Sequence, residues 1–452
     1  MKPAIHDVFL KKAPCCVLAR TALEQLFDPA RIDALFDRAA QRQYHREVFF
    51  SDLLGLMLRV VLRVKPSVLA AYREVRDELD VSHQAVYAKL AGTDDAVSEA
   101  LVADSAARLA PVIEALAASL PEPVPGFRSR IVDGNLLGKT ERRLKPLRTT
   151  WARGLPGRLL AVYEPARDLV THAFLERDAH ACERTRMNNV LDLVEPGDLW
   201  IADSHFCTHE IMAAIRDRKS HFLIRQHGSL KGRPVGERRF IGRTDTGTVY
   251  EQDLTMIGPN DGWTIRRLTL VLDSPTTDGD EEIHLLTNVP EVDAIVLMDA
   301  YRKRWTIERR FYDISQMFDA EPRTLAYPAA ALFAFCLGLV ASNAVALMRA
   351  ALRSVHGAPA VEEMSNVYMA MEIRETYTGM TIALELGPIT SPQAMTPSEF
   401  ADCLRAIAAY IDPRRYRKAR RGPKKKPPPK QPYQNGINHS TQRLLEKRKS
   451  SN

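Results

Sequence analysis

The run Leu199-Trp200-Ile201-Ala202 is apolar at four consecutive positions and stops at Asp203, the pattern of a strand covered on both faces. Such a strand needs helices above and below it, which commits this part of the chain to a mixed α/β layer structure. Arg130-Ile131-Val132 is a second short strand, and it also runs into an acid and a turn, Asp133-Gly134-Asn135. Residues 158–163 and 169–175 flank Pro165-Ala166-Arg167-Asp168 and read as a β-hairpin. A helix over 182–193 is broken by Pro196-Gly197; another over 208–218 leads into a strand at 221–225.

Around this sheet the sequence predicts further units. Residues 1–120 form a helical N-terminal domain, in which Ser51 caps an apolar helix that ends before Pro66. Within it, residues 69–79 and the Ser82-capped 83–90 are spaced like a helix-turn-helix, or like an ordinary helical hairpin. Pro121, Pro123, Pro125 and Gly126 make a stiff boundary. The sheet occupies 127–225, a β-rich insertion 226–290, and a helical return with extension 291–412. The apolar segment 329–348 is long enough to span a bilayer. Arg323 and Arg349 close to its ends, with a polar tail beyond, fit a buried core helix instead, and no membrane partner is expected.

Charge is unevenly placed. Residues 413–452 hold 14 Lys and Arg and one acid, Glu446, so a chain of net charge +7 leaves −6 on residues 1–412. That tail, with Arg414, Arg415, Arg417, Lys418, Arg420 and Arg421 ahead of a proline run, is expected to be flexible and to contact a DNA backbone. Six cysteines in 452 residues, two of them adjacent, suit a reducing compartment without structural zinc. The N-terminus lacks the apolar run of a secretory signal, and a cytoplasmic, nucleoid-associated location is expected.

The acids carry the chemistry. Neighbouring strands bring Asp133 and Asp203 close enough to share divalent cations, and a third carboxylate comes from a helix on which Arg304, Glu308, Tyr312 and Ser315 share one face. Read structurally instead, Asp133 begins a turn, Asp203 caps a helix and Glu308 pairs with Arg304. Trp200 and Trp305 each lie near an acid, either to pack in the core or to stack on a base. His205 and His209 have no further ligand to make a zinc site.

The segment from Tyr301 through Arg304 to Glu308 resembles the Tyr-x2-Arg-x3-Glu signature of bacterial insertion-sequence transposases of the DDE class, family-four type. Asp133 in Val-Asp-Gly-Asn and Asp203 in Ile-Ala-Asp-Ser-His-Phe stand where that family has its first two catalytic aspartates. The resemblance implies an RNase H-like mixed sheet flanked by helices and interrupted by a β-rich insertion. It implies a transposase that cuts at the ends of an insertion sequence and joins the 3′-OH to target DNA. Asp133, Asp203 and Glu308 would hold two Mg²⁺ ions, or Mn²⁺, and such a pair suits phosphodiester chemistry. Tyr301 and Arg304 would contact phosphate, and double-stranded DNA, both terminal inverted repeats and target, would be bound by a homodimer. An RNase H-fold nuclease without strand transfer and a catalytically inactive DNA-binding regulator are the alternatives. The family pattern continues Glu-x6-Lys, and here that position is Ser315, with Lys303, Arg309 and Arg310 as nearby charge.

Overall fold

The computed structural model describes residues 5–41, 48–77, 79, 81–149, 153–257, 262–276, 279–383, 395–419, 422 and 439–450. Its strands are β1 (Arg128–Leu136), β2 (Arg158–Glu164), β3 (Leu169–Glu176), β4 (Asp198–Ala202), β5 (His221–Arg225), β6 (Gly232–Thr244), β7 (Gly247–Met256), β8 (Thr264–Leu272) and β9 (Glu282–Thr287). They form one sheet in the order β3-β2-β1-β4-β5-β9-β8-β7-β6. β1, β4 and β5 run parallel to one another, and β2 and β3 are antiparallel. This is the RNase H-like arrangement. β4 is buried at all five positions, as its apolar run demands.

The β-rich insertion continues the same sheet rather than standing apart from it. β9 pairs antiparallel with β5, and β8, β7 and β6 follow outward. The Pro121–Gly126 boundary divides the chain but not the core. Apolar side chains of the N-terminal helices, such as Leu18, Phe50 and Leu101, belong to the same buried cluster as Ile131, Ile201 and Phe333.

At the centre lies Pro328–His356, a helix of 29 residues. It is apolar and long enough to cross a membrane, yet its most apolar window is wholly buried within the protein. Asn343, 1% exposed, explains the polar break in that run. Its side chain accepts from Val170 N at 2.9 Å and donates to Val170 O and Ser105 Oγ, both at 2.9 Å. β3 is an edge strand, and its outward backbone groups need partners in a dry interior. Asn343 serves Val170, and Glu99 of the Asp95–Ala115 helix accepts from Leu175 N at 2.7 Å.

Several local expectations change. Ser51 lies inside the first turn of Phe50–Val61, not at its cap; its Oγ donates to Asp33 at 2.8 Å. The first helix of the helix-turn-helix candidate is only Val68–Glu74, while Ser82 does cap His83–Ala91 through Ala85 N at 3.2 Å. The tail is ordered on both sides of 423–438, which lie outside the described residues. Pro413–Tyr416 makes a 3-10 turn, His439–Ser440 pairs with Gly154–Leu155, and Thr441–Lys449 is helical.

Arg63, at φ 59°, ties the N-terminal helices to the Trp305–Met317 helix, donating to Ser315 O and Phe318 O, each at 2.9 Å. Those carbonyls are orphans of a helix end, and a cation there also opposes the helix dipole.

Two stability outcomes follow. Asn343→Ala leaves the Val170 N–H and C=O buried without their partner, Ser105 Oγ keeping its bond to Val102 O, and should cost about 1–3 kcal/mol for each, read by denaturant unfolding; an unchanged midpoint would contradict the edge-strand role. Burial pushes the Glu99 carboxyl up to about 7, against the Leu175 N–H that favours its charged form. The folded state therefore holds an extra proton between the unfolded value near 4.5 and about 7, so stability falls as pH rises through that window. Glu99→Gln should reduce this slope and gain on the order of 1–3 kcal/mol above pH 7, seen as a melting temperature that declines less with pH than that of the wild type.

Candidate active site

Parallel pairing sets the first two acids side by side. Val132 of β1 is in register with Ala202 of β4, and one residue further along each strand come Asp133 and Asp203. Asp133 accepts from its own neighbour Gly134 N at 2.9 Å and is 7% exposed. Asp203 caps the short turn Ser204–Phe206, accepting from His205 N at 2.9 Å. Asp203 thus plays the capping role that a structural reading gives it, whereas Asp133 begins no turn: β1 runs on through Gly134 and Asn135 to Leu136, paired with β2, and the two acids still face one another's charge.

Glu308 arrives from across the sheet face. The helical stretch predicted over 294–318 is two helices, Ala294–Arg302 and Trp305–Met317, broken at Lys303-Arg304. The break leaves Arg304 at the head of the second helix with its guanidinium turned into the site. Its Nη1 donates to Asp133 Oδ2 at 2.6 Å and its Nη2 to Glu308 Oε1 at 2.8 Å. Arg304 Nε is buried without a partner. The guanidinium also lies 5.9 Å from the Tyr301 ring and 5.6 Å from the Trp305 ring.

Burial pushes the Asp133 carboxyl up to about 7; Arg304 pulls it down, and the negative charges of Asp203 and Glu308 add to the rise. Burial likewise pushes the Tyr301 phenol up to about 12, so it remains a donor at neutral pH. Three hard-oxygen carboxylates, two of them paired with Arg304, are of the donor type that suits a divalent ion. Among the described residues no three His, Cys, Asp or Glu side chains close into a metal cage, and Arg304 supplies the positive charge between Asp133 and Glu308.

Side chains that no spacing pattern announces complete the site. Glu183 is paired with Arg158 of β2, and its carboxylate lies so close to Gly134 that an added Cβ there would come within 2.9 Å of it and push the side chain aside. His205 Nδ1 lies 3.2 Å from Asp203 and 3.7 Å from Glu183. Glu183 comes from the segment between β3 and β4, and only the folded sheet brings it here.

Other expected residues find different places. Trp200 packs in the core with its ring beneath Arg130, whereas Trp305 is 63% exposed at the rim of the site. Arg310 cannot serve as surface charge, being buried and paired with Asp168, which also accepts from Tyr163 OH at 2.6 Å. Buried His209 is bonded by Trp263 Nε1 at 3.3 Å. In the tail, Arg414 pairs with Asp412, Arg417 with Glu363, and Lys418 donates to Glu362 O, while Arg415 is exposed; Arg420 and Arg421 lie outside the described residues.

Residues 130–344 match the family described as the transposase DDE domain. The matched span opens within β1 and closes within the central helix, so it contains Asp133, Asp203, Glu308 and the added strands. Residues 130–344 are therefore similar to a DDE-type transposase domain, a class that acts on DNA and generally uses divalent metal ions. No curated protein matches the chain.

Removing Arg304 tests the electrostatics directly. Arg304→Ala leaves the buried Asp133 without its counter-charge, and breaking such a pair costs about 3–5 kcal/mol. The metal-free variant should melt well below the wild type at neutral pH, and an equal melting temperature would show that the pairing does not hold in solution.

Proposed function

We propose that this chain is a transposase of the insertion-sequence, family-four type, cutting at the ends of its element and joining the freed 3′-OH to target DNA. The observation that carries the reading is the in-register placement of Asp133 and Asp203 with Glu308 joined to Asp133 through Arg304, all inside the matched domain.

Asp133, Asp203 and Glu308 would hold two Mg²⁺ ions, with Mn²⁺ able to replace them. When bound, such ions stabilise both the attacking and the leaving oxygen of an in-line displacement at phosphorus. The chain's own residues do the rest. Arg304, freed from the two carboxylates when other positive charge takes over, offers its planar fork to phosphate oxygens. Tyr301 adds a hydroxyl donor beside it. Exposed Trp305 presents a flat apolar face at the rim, able to stack on a base.

Water is the first nucleophile: its oxygen bonds to phosphorus as it loses a proton, the strand's 3′ oxygen leaves and takes one up, and that 3′-OH then bonds to a phosphorus of target DNA, losing its proton as the target strand's own 3′ oxygen leaves and is protonated. Two ends must be joined, so a homodimer on DNA, bound to terminal inverted repeats and target, is part of the proposal. Exposed positions of the His83–Ala91 helix and the basic tail, including Arg415, would add contacts outside the acid site. We place the protein in the cytoplasm, at the nucleoid, where its substrate is.

Asp133→Asn, Asp203→Asn and Glu308→Gln should each lower divalent-dependent cleavage of plasmid DNA carrying the gene's flanking sequence by more than about 100-fold, since even outer-shell partners of ligands are worth about 10–100-fold. DNA binding should be largely retained. Full cleavage by any one variant would remove that residue from the triad.

A further inference from the structure

The cleft that begins at the acids does not end there. Its first part lies against Asp133, Glu308 and Tyr312, and its second against Lys139, Arg153 and Arg323; Ser315 and Glu321 line both. Ser315 leaves the passage open, its small side chain folded back to donate to Tyr312 O at 2.8 Å.

The three cations come from separate segments that the backbone stitches together. Thr140 N donates to Gly154 O at 2.9 Å, and Glu141 N to Arg323 O at 2.8 Å. Gly154 is held on its other side by the pairing with His439. Lys139, Arg153 and Arg323 are therefore carried on a connected rim, and all three are exposed.

They also differ from the arginines around them. Arg128, Arg158, Arg225 and Arg266 are each paired with a carboxylate, whereas among the described residues none of these three has one within ion-pair distance. Of the acids in the second part, Glu321 is turned to accept from Gly138 N, and burial pushes both Glu321 and Asp319 up, toward the neutral form, with the charges of Arg63 and Arg323 acting against the rise at Asp319. Unpaired positive charge along an open passage that leads out of a carboxylate site is the arrangement that a polyanion strand satisfies.

We propose that this passage carries the DNA strand on one side of the scissile phosphate, with Lys139, Arg153 and Arg323 as its backbone contacts. The proposal rests on the reading of the acids as a DNA-cleaving site. It assigns the strand a direction away from Asp133, past Ser315, and gives it contacts that hold phosphate without reading bases.

The test is the salt dependence of binding to a fluorescein-labelled duplex of random sequence, followed by anisotropy. Each phosphate contact on B-form DNA contributes about 0.9 to the slope of log affinity against log salt. The triple variant Lys139→Ala, Arg153→Ala, Arg323→Ala should lose about 2.7 of that slope, and Arg153→Gln alone about 0.9. The single variant decides the matter should the triple not fold. Placing Ser315→Lys in the triple background should return about 0.9. Wild-type binding with an unchanged slope in the variants would overturn the path while leaving the acid site standing. A wild type that binds no DNA would overturn the DNA reading and the path together.

Discussion

Two aspartates on adjacent parallel strands repel each other, and burial makes the repulsion worse. The surroundings are organised to contain that conflict. The parallel register that puts Asp133 beside Asp203 comes from strands too apolar to sit anywhere but mid-sheet, so the acids cannot move apart without unpairing the core. Relief comes from a charge of opposite sign, and in this structure it is Arg304, held between Asp133 and Glu308. The same guanidinium is the group suited to grip phosphate. Counter-charge and substrate contact are one side chain, so the site exchanges one pairing for the other.

Glu308 needs a fixed helix, and the fold fixes it from two directions. Gly338 of the central helix lets Ala320 and Ile314 approach so closely that an added Cβ would lie 2.5 Å from Ala320 Cβ. Arg63 closes the helix's C-terminal end from the N-terminal region. The N-terminal helices, whatever they do toward DNA, thus help to set the position of the third acid.

Much of this is legible in the amino-acid order. An uninterrupted apolar run ending in an acid is a local pattern, so Leu199–Asp203 identifies itself, whereas Ile131-Val132 marks only the middle of a strand that runs on past Asp133 to Leu136; the i, i+4 spacing of Arg304 and Glu308 survives as a real ion pair. The Tyr301 to Glu308 segment lies within the matched span. What escapes is whatever depends on distant segments meeting. The Arg304–Asp133 pair spans 171 positions, Glu183 reaches the site from an irregular connection, and Lys139, Arg153 and Arg323 carry no shared periodicity. The β-rich stretch shows its strands in alternation, but nothing local says that its last strand pairs with β5. The helix break at Lys303-Arg304 is equally silent, because neither residue is a helix breaker.

The extension of the sheet has a consequence for how molecules of this chain meet. Without it, β5 would be an open edge one strand away from β4 and its Asp203, ready to pair with any extended segment. Four further strands carry that edge outward by about 19 Å at the usual spacing between strands. The outermost, β6, is interrupted by register shifts near Val235 and Phe240, carries Pro234, and bears Arg233, Arg238, Arg239 and Arg243. Stray strand addition is thereby both discouraged and displaced, and the mouth of the carboxylate site stays clear of sheet-to-sheet association.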